Sequence, residues 1–442
     1  MLRTFKLGGV HPAENKLSAG KAIEKLALPK SVFIPVGQHI GAPAISLVSK
    51  GDRVKTGQLL AQSGGFVSAN IHSSVSGTVK KVDLATDSSG YPRQGIFIDV
   101  EGDEWDESII RDESLVENFS CNGKTIIDQI NAAGIVGMGG ATFPTHVKLM
   151  PPQGMKAEIL IVNGVECEPY LTSDHRLMLE KGKELIVGIK LLMRALDVNR
   201  AYIGIENNKQ NAIAYLSGIC KSTPIEVVPL KVKYPQGGEK QLIRAITGRE
   251  VPSGALPIAV GVVVDNVGTA FAVYEAVLKN KPLIERVVTV TGKSVKNPSN
   301  FLVRIGTPIR ELIEAAGGLP GDTGKIISGG PMMGKAVINT DIPVTKGTSG
   351  ILIIPEKQSL RKPAQTCIRC GRCVTACPMG LEPYLLMTVS EKQIWDKAEE
   401  NKVMDCIECG SCSYTCPADR PLLDYIRQGK GKVGQIIRSR KK

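Results

Sequence analysis

Two cysteine runs toward the C-terminal end constrain this chain more than any other feature. Cys367, Cys370, Cys373 and Cys377 follow the spacing C-x2-C-x2-C-x3-C-P, and Cys406, Cys409, Cys412 and Cys416 repeat it, with Pro378 and Pro417 closing the two runs. Three thiolates two residues apart let one tight loop wrap three corners of an iron–sulfur cube, and the fourth ligand arrives from elsewhere. Zinc sites use paired C-x-x-C units with histidine allowed rather than a doubled run of this kind, and a disulfide framework does not need such spacing. The runs therefore predict two [4Fe–4S] clusters and a protein that moves electrons singly.

The doubled run resembles that of bacterial two-cluster ferredoxins. That resemblance implies crossed ligation, in which the fourth cysteine of each run serves the other cluster. One centre would then use Cys367, Cys370, Cys373 and Cys416, and the other Cys406, Cys409, Cys412 and Cys377.

With 442 residues, 42% of them hydrophobic, the chain exceeds one hydrophobic core, and several domains are expected. Eight cysteines committed to oxidant-sensitive clusters, with Cys121, Cys167 and Cys220 scattered, argue for a reducing compartment. Met1 to Val10 has no apolar core of a secretory signal, and no apolar stretch approaches the ~20 residues that span a bilayer. The formal net charge is +12, and residues 427–442 form a basic tail carrying Arg427, Lys430, Lys432, Arg438, Arg440, Lys441 and Lys442 without one acid. With 4% aromatic residues and no groove-reading motif, nucleic acid is not the expected partner. A solvated tail, an anionic membrane surface or an acidic partner protein all suit it.

Residues 31–105 read as all-β, short β-branched runs (Val32–Val36, Ala44–Val48, Ile96–Val100) alternating with Gly, Pro and Asp. Residues 1–30 precede them as an N-terminal extension. Residues 120–285 alternate strands (Glu158–Asn163, Ala201–Glu206, Ile225–Leu230, Ile258–Asp265) with helices (Thr125–Ala133, His175–Leu196, Lys209–Cys220, Glu239–Thr247, Val267–Lys279), the pattern of an α/β layered domain. A small α+β module follows at 286–356, then the cluster domain at 362–426, whose inter-run spacer has room for helices near Pro383–Ser390 and Glu391–Asn401. The expected class is thus multidomain α/β.

A source of electrons is expected ahead of the clusters. Gly134 to Thr145 is a glycine-rich loop with Gly137, Gly139 and Gly140, where backbone N–H groups approach a phosphate unobstructed. Asn163 to Pro169 and Asp265-Asn266 each follow a strand, so their polar groups emerge at its carboxyl end, where α/β ligands bind. Tyr234 to Glu239 opens a helix.

At these residues the chain resembles known families. Gly137 to Lys148, Asn163 to Pro169, Gly237 to Glu239 and Asp265 to Thr269 are similar, in order, to motifs of the NADH-binding flavoprotein subunit of respiratory complex I. The cluster runs resemble the C subunit of the Rnf complex, the ion-translocating ferredoxin:NAD oxidoreductase, and that likeness covers nearly the whole chain. Gly51 to Leu60 with Ser76 to Val79 resembles a biotinyl/lipoyl-type barrel-sandwich module, although Ala61 to Val75 holds no lysine to modify, so the module is expected to serve as scaffold. Residues 286–356 resemble a β-grasp-like (SLBB) module.

The resemblance implies FMN, NAD(H) and two [4Fe–4S] clusters as cofactors. Carried over, Gly137, Gly139, Gly140 and Lys148 would meet the FMN phosphate and ribityl chain. Asn163, Glu166, Gly238, Glu239, Asp265, Asn266 and Thr269 would line the flavin. Phe143 would stack on the nicotinamide or adenine, and Glu168 would lie near the dinucleotide. Met138 and Val165 stand where complex I proteins carry an arginine and an acid. The implied activity is that of a translocase subunit passing electrons between NAD(H) and clusters, because a flavin joins two-electron and one-electron exchange. The implied partners are other Rnf subunits, integral-membrane and iron–sulfur, with ferredoxin reached indirectly, and the implied place is the cytoplasmic face of the cell membrane as a peripheral subunit. A cobalamin reductase of propanediol-utilisation microcompartments is the competing resemblance, and the second run followed by Pro421 to Arg427 fits the Rnf family better. A non-catalytic electron relay with an empty flavin site is the reading of another class.

Overall fold

The computed structural model describes residues 2–440. Alternation of apolar residues folds the first module into a four-stranded sheet, ordered Ser31–Pro35, Pro92–Val100, Gly77–Thr86 and Arg53–Val54, facing a three-stranded one of Ile45–Ser46, Leu59–Gln62 and Ile71–His72. Val32, Ile34, Leu60, Ile71, Ile96 and Ile98 fill the space between them.

The flavin-type domain is built on a parallel sheet in the order Ile225–Leu230, Ala201–Glu206, Ile159–Asn163, Val262–Asn266. All four strands are rich in Ile and Val because helices cover both faces. Chain connections leave the Ile159–Asn163 strand toward opposite sides, so a topological switch point lies beside it, and the carboxyl ends Asn163 and Asn266 sit in register there. The helices Gly182–Leu196 and Val267–Leu278 approach so closely that a Cβ on Gly188 would lie 1.9 Å from the Ala270 carbonyl.

Most expected elements stand where the pattern puts them, and the differences have local causes. The expected helix His175–Leu196 is two, Ser173–Glu180 and Gly182–Leu196, broken at Lys181 (φ −126°, ψ 29°). The expected strand Ile258–Asp265 begins late: Pro257–Val260 makes a 3-10 turn, Gly261 adopts φ 71°, and the strand runs Val262–Asn266. Apolarity alone does not separate a strand from a buried turn. In the cluster domain the second spacer helix shortens to Trp395–Glu400, behind Gln393 at φ 57°.

Two ends differ more. Residues 2–30 do not stand apart as an extension. Ile23–Lys25 adds a parallel edge strand beside Ser299–Arg304 in the six-stranded sheet of the β-grasp-like module. Further upstream, Arg3 and Val10 bridge to Leu230 and Tyr234, and Gly9 N–H donates to the Ala376 carbonyl at 2.9 Å. The basic tail is not a tail over its described length. Leu422–Arg440 is one helix that buries Leu423, Ile426 and Val433 against the cluster domain, while Arg427 and Lys430 pair with Glu408 and Arg440 with Glu399. An apolar stripe at Leu422, Leu423, Ile426 and Val433 runs beneath the cations, so charge and burial share one helix. Lys441 and Lys442 lie outside the described residues. Among the described residues no helix is long and apolar enough to cross a membrane.

Candidate functional site

The glycine loop is a closed turn. Gly137 N–H donates to the Phe143 carbonyl at 2.9 Å, Val136 bridges Pro144, and Met138 N–H donates to Thr269 Oγ1 at 3.0 Å. Between these ties the amides of Gly139, Gly140 and Ala141 make no hydrogen bond among the described residues. A Cβ at Gly140 would meet nothing within 4 Å, whereas one at Gly139 would sit 2.7 Å from Asn266 Nδ2. One glycine thus faces open space and the other permits the loop to lie on the sheet's end.

That end supplies the polar groups. Asn266 caps the Val267–Leu278 helix by accepting from Gly268 N–H at 2.8 Å, and its Nδ2 donates to Asp174 Oδ2 at 2.8 Å and the Asn163 carbonyl at 3.2 Å. Asn163 Nδ2 donates to the Gly237 carbonyl at 2.9 Å, just ahead of Gly238, the N-cap of the Glu239–Thr247 helix. Lys148 Nζ reaches Glu239 Oε1 at 3.1 Å and the Val264 carbonyl at 2.7 Å. Asp265 is buried with Oδ2 unpartnered; burial lifts its carboxyl to about 6, against the pull of Lys148. Uncommitted loop amides, a lysine at the sheet end and an orphaned buried carboxylate oxygen suit a phosphate with a polar group beyond it, as FMN carries.

The structure brings Gly137, Gly139, Gly140, Lys148, Asn163, Gly238, Glu239, Asp265 and Asn266 to this one end of the sheet. Phe143 is half-buried in the loop, with its carbonyl committed to Gly137 N–H. Three carried-over residues are otherwise engaged. Thr269 is fully buried, and its hydroxyl holds Met138 rather than facing the site. The Glu166 carboxylate accepts from Asp174 N–H at 2.8 Å and His175 N–H at 3.2 Å, capping the Ser173–Glu180 helix. Glu168 turns away from the loop: its oxygens accept from Met332 N–H at 3.0 Å and Met333 N–H at 2.8 Å, and burial raises its carboxyl to about 7. The residue Glu168 approaches, Tyr234, donates from its hydroxyl to the Cys409 carbonyl at 2.8 Å. Sequence reasoning missed Asp174, which anchors Asn266, and Lys16, whose Nζ donates to the carbonyls of Glu166, Glu168 and Leu171. No periodicity marks either residue.

The cysteines group across the two runs. Cys377, Cys406, Cys409 and Cys412 line one apolar cavity with Leu381, Leu386 and Ile426. Burial raises the Cys373 thiol, and Cys416 of the other run adds to the shift. Burial pushes the Cys406 thiol up to about 11 and Cys412 to about 12, so these groups are poor donors until a metal deprotonates them. Four thiols lining one apolar cavity suit the ligand set of an iron–sulfur cube rather than that of a single ion. Cys367 and Cys370 are exposed. Among the described residues no three His, Cys, Asp or Glu side chains converge as ligands of one metal ion would.

Four family descriptions match the chain in series: the RnfC barrel sandwich hybrid domain at residues 4–103, the Nuo51 FMN-binding domain at 130–275, the SLBB domain at 287–336 and the 4Fe-4S dicluster domain at 359–417. The C subunit of the proton-translocating ferredoxin:NAD(+) oxidoreductase complex of Clostridium ljungdahlii is 50% identical over 436 residues, which are 97% of this chain and 93% of that protein. Its counterpart in the Na(+)-translocating complex of Acetobacterium woodii is 46% identical over 447 residues, 99% and 98% of the two chains. The C subunit of the ion-translocating oxidoreductase complex of Rhodobacter capsulatus is 43% identical over 98% of this chain and 84% of its own.

Proposed function

Because this chain belongs to the C-subunit family of ion-translocating ferredoxin:NAD(+) oxidoreductase (Rnf) complexes, we propose that it works as the NAD(H)-binding flavoprotein and iron–sulfur subunit of such a complex. It is an electron-transfer oxidoreductase subunit with an FMN-binding domain and a two-cluster 4Fe–4S domain. FMN, when bound, supplies the exchange between a two-electron hydride and single electrons. The chain's own residues hold and insulate that exchange. Gly139 and Gly140 amides with Lys148 take the phosphate, Asp265, Asn266, Asn163 and Glu239 present polar groups to the ring, and Phe143 offers an aromatic face to the nicotinamide or adenine. Thr269 and Glu166 hold the loop and the neighbouring helix in place. Cys377, Cys406, Cys409 and Cys412 hold one cluster, and Cys367, Cys370, Cys373 and Cys416 the other.

One observation carries this reading. The strand end that forms the flavin-type site continues through Glu168 and Tyr234 to the Cys409 carbonyl, and Gln241 of the neighbouring helix donates to the Pro378 carbonyl beside Cys377, so the site and the buried thiol cavity share a junction. That junction supports an order in which the buried cluster neighbours the flavin and the exposed cluster faces the partner subunits. The integral-membrane and iron–sulfur subunits of the complex are the partners, ferredoxin is reached through them, and the chain sits peripherally on the cytoplasmic face of the membrane. The relatives named above are ion-translocating C subunits rather than corrinoid reductases, and the cobalamin-reductase alternative has no support. Stopped-flow mixing of NADH with the anaerobic, flavin-loaded chain tests the proposal: rapid bleaching of flavin absorbance supports it, and a flavin left oxidised overturns it.

A further inference from the structure

The two cluster loops are one design used twice, and only one copy is covered. Cys367-Ile-Arg-Cys-Gly-Arg-Cys and Cys406-Ile-Glu-Cys-Gly-Ser-Cys share their backbone: Arg369 and Glu408 both stand at φ 57°, and Gly371 and Gly410 at 72° and 78°. The second loop is sealed by protein. Ile407 packs with Val10, Tyr234 and Met332, the Cys409 carbonyl accepts from Tyr234, and a Cβ on Gly410 would lie 3.0 Å from the Met332 carbonyl. Glu408 is clamped by Arg427 and Lys430 at 3.1 and 3.0 Å.

At the first loop every equivalent is open. Ile368 is 68% exposed and Leu360 74%. Cys367 and Cys370 are exposed, and a Cβ on Gly371 would meet nothing within 4 Å. Arg369 and Arg372 are exposed and make no ion pair among the described residues. Residues 357–381 carry Lys357, Arg361, Lys362, Arg369 and Arg372 with no acid between them. Arg361 is paired with Asp424, but Ile368 lies between Cys367 and the unpaired Arg369, with the unpaired Arg372 three residues on, and an apolar residue flanked by free cations on a cluster loop is a self-consistent contact surface for protein of opposite charge.

We propose that the face around Ile368, Arg369, Cys370 and Arg372 docks an acidic one-electron carrier protein, seated on this loop as the flavin domain is seated on its twin. The proposal rests on the reading that both runs hold clusters, and it adds the chemistry of the partner and the side from which it arrives. Ile368 supplies the apolar centre, and the arginines steer and orient. The twin loop's Glu408 has the wrong sign for such a partner and is used internally instead.

The test uses the full chain, loaded with flavin and both clusters. Its probe, standing in for an acidic iron–sulfur partner subunit, is an oxidised, acidic plant-type [2Fe–2S] ferredoxin, with a cationic cytochrome c as the opposite probe. Binding is followed by surface plasmon resonance at low and high salt. The acidic probe should bind, weaken as the Debye length shortens from ~10 Å at 0.1 M to ~3 Å at 1 M, and associate on the order of tenfold more slowly with the R369E/R372E variant. I368D should raise its off-rate. The milder R369Q/R372Q variant serves if charge reversal disturbs cluster loading, and iron content is measured in every variant. Equal binding of wild type and fully loaded variants, preference for cytochrome c, or competition only by phosphatidylserine vesicles would overturn the proposal. A chain that lacks iron, or whose flavin NADH leaves oxidised, would instead strike at the underlying reading.

Discussion

Replacing Lys346 by methionine should change the pH dependence of stability as much as stability itself. Lys346 is 1% exposed, and its Nζ donates to the carbonyls of Asn70 and Gly134, each at 2.7 Å. One amine therefore ties the β-grasp-like module to the barrel-sandwich module and to the root of the glycine loop. Two acceptors satisfy a neutral amine, which has two N–H groups. Burial holds the Lys346 ammonium down to about 7, from an ordinary 10.5, and desolvation, with Lys346 nearby, keeps the half-buried His39 and His72 neutral, at about 4 and about 3. Between about pH 7 and 10.5 the unfolded chain binds a proton that the folded chain does not, so stability rises with pH across that window. At ~1.4 kcal/mol per unit this one group contributes up to roughly 5 kcal/mol of slope. Below pH 7 the folded protein must carry a buried ammonium, and that stability is gone. Methionine keeps the unbranched shape but strands two buried carbonyls, at about 1–3 kcal/mol each. Thermal unfolding followed by intrinsic fluorescence should show Lys346→Met well below wild type at pH 9, with the gap closing toward pH 6. A gap of the same size at both values would refute the argument.

Cys377→Ala should remove the cluster whose other ligands are Cys406, Cys409 and Cys412, so iron falls toward about half of the ~8 atoms two cubes hold; loss confined to the exposed centre, read by electron paramagnetic resonance, would reverse the assignment. Gly140→Val should fold normally, since nothing lies within 4 Å of its Cβ, yet purify without flavin, while Gly139→Val should also lower the melting temperature because its Cβ collides with Asn266. Truncation after Gln428 should destabilise the cluster domain and cost iron, because it deletes Val433 and the Lys430 contact to Glu408; a truncated chain with full iron would show that half of the helix to be dispensable.

The sequence made the clusters and the order of modules legible because their signals are local. Cysteine spacing does not depend on what packs around it, and strands such as Ala201–Glu206 and Ile225–Leu230 fall where their Ile and Val runs put them. The glycine loop and the strand-end residues Asn163 and Asn266 were legible for the same reason. What escaped was set by partners far away in the chain. Thr269 reads as lining the site, yet its hydroxyl is taken by Met138, 131 positions earlier. Glu168 reads as a ligand group until Met332 and Met333 claim both its oxygens. The stretch 427–442 reads as a tail because seven cations and no acid stand out in it, whereas the apolar stripe of the helix that carries five of them is interrupted by Gly429, Gly431 and Gly434. Lys16 and Ile23–Lys25 carry no pattern at all, since they borrow a sheet edge and three carbonyls made elsewhere.

One chain is proposed to exchange electrons between NAD(H), a flavin and two crossed [4Fe–4S] centres. Anaerobic addition of NADH to the purified chain, with flavin, iron and acid-labile sulfide counted in the same sample, tests it most directly. One non-covalent FMN should bleach within the mixing experiment, and about eight iron with about eight sulfide should be found per chain. Four or fewer iron, tightly held zinc, or a bound flavin that NADH does not reduce would contradict it.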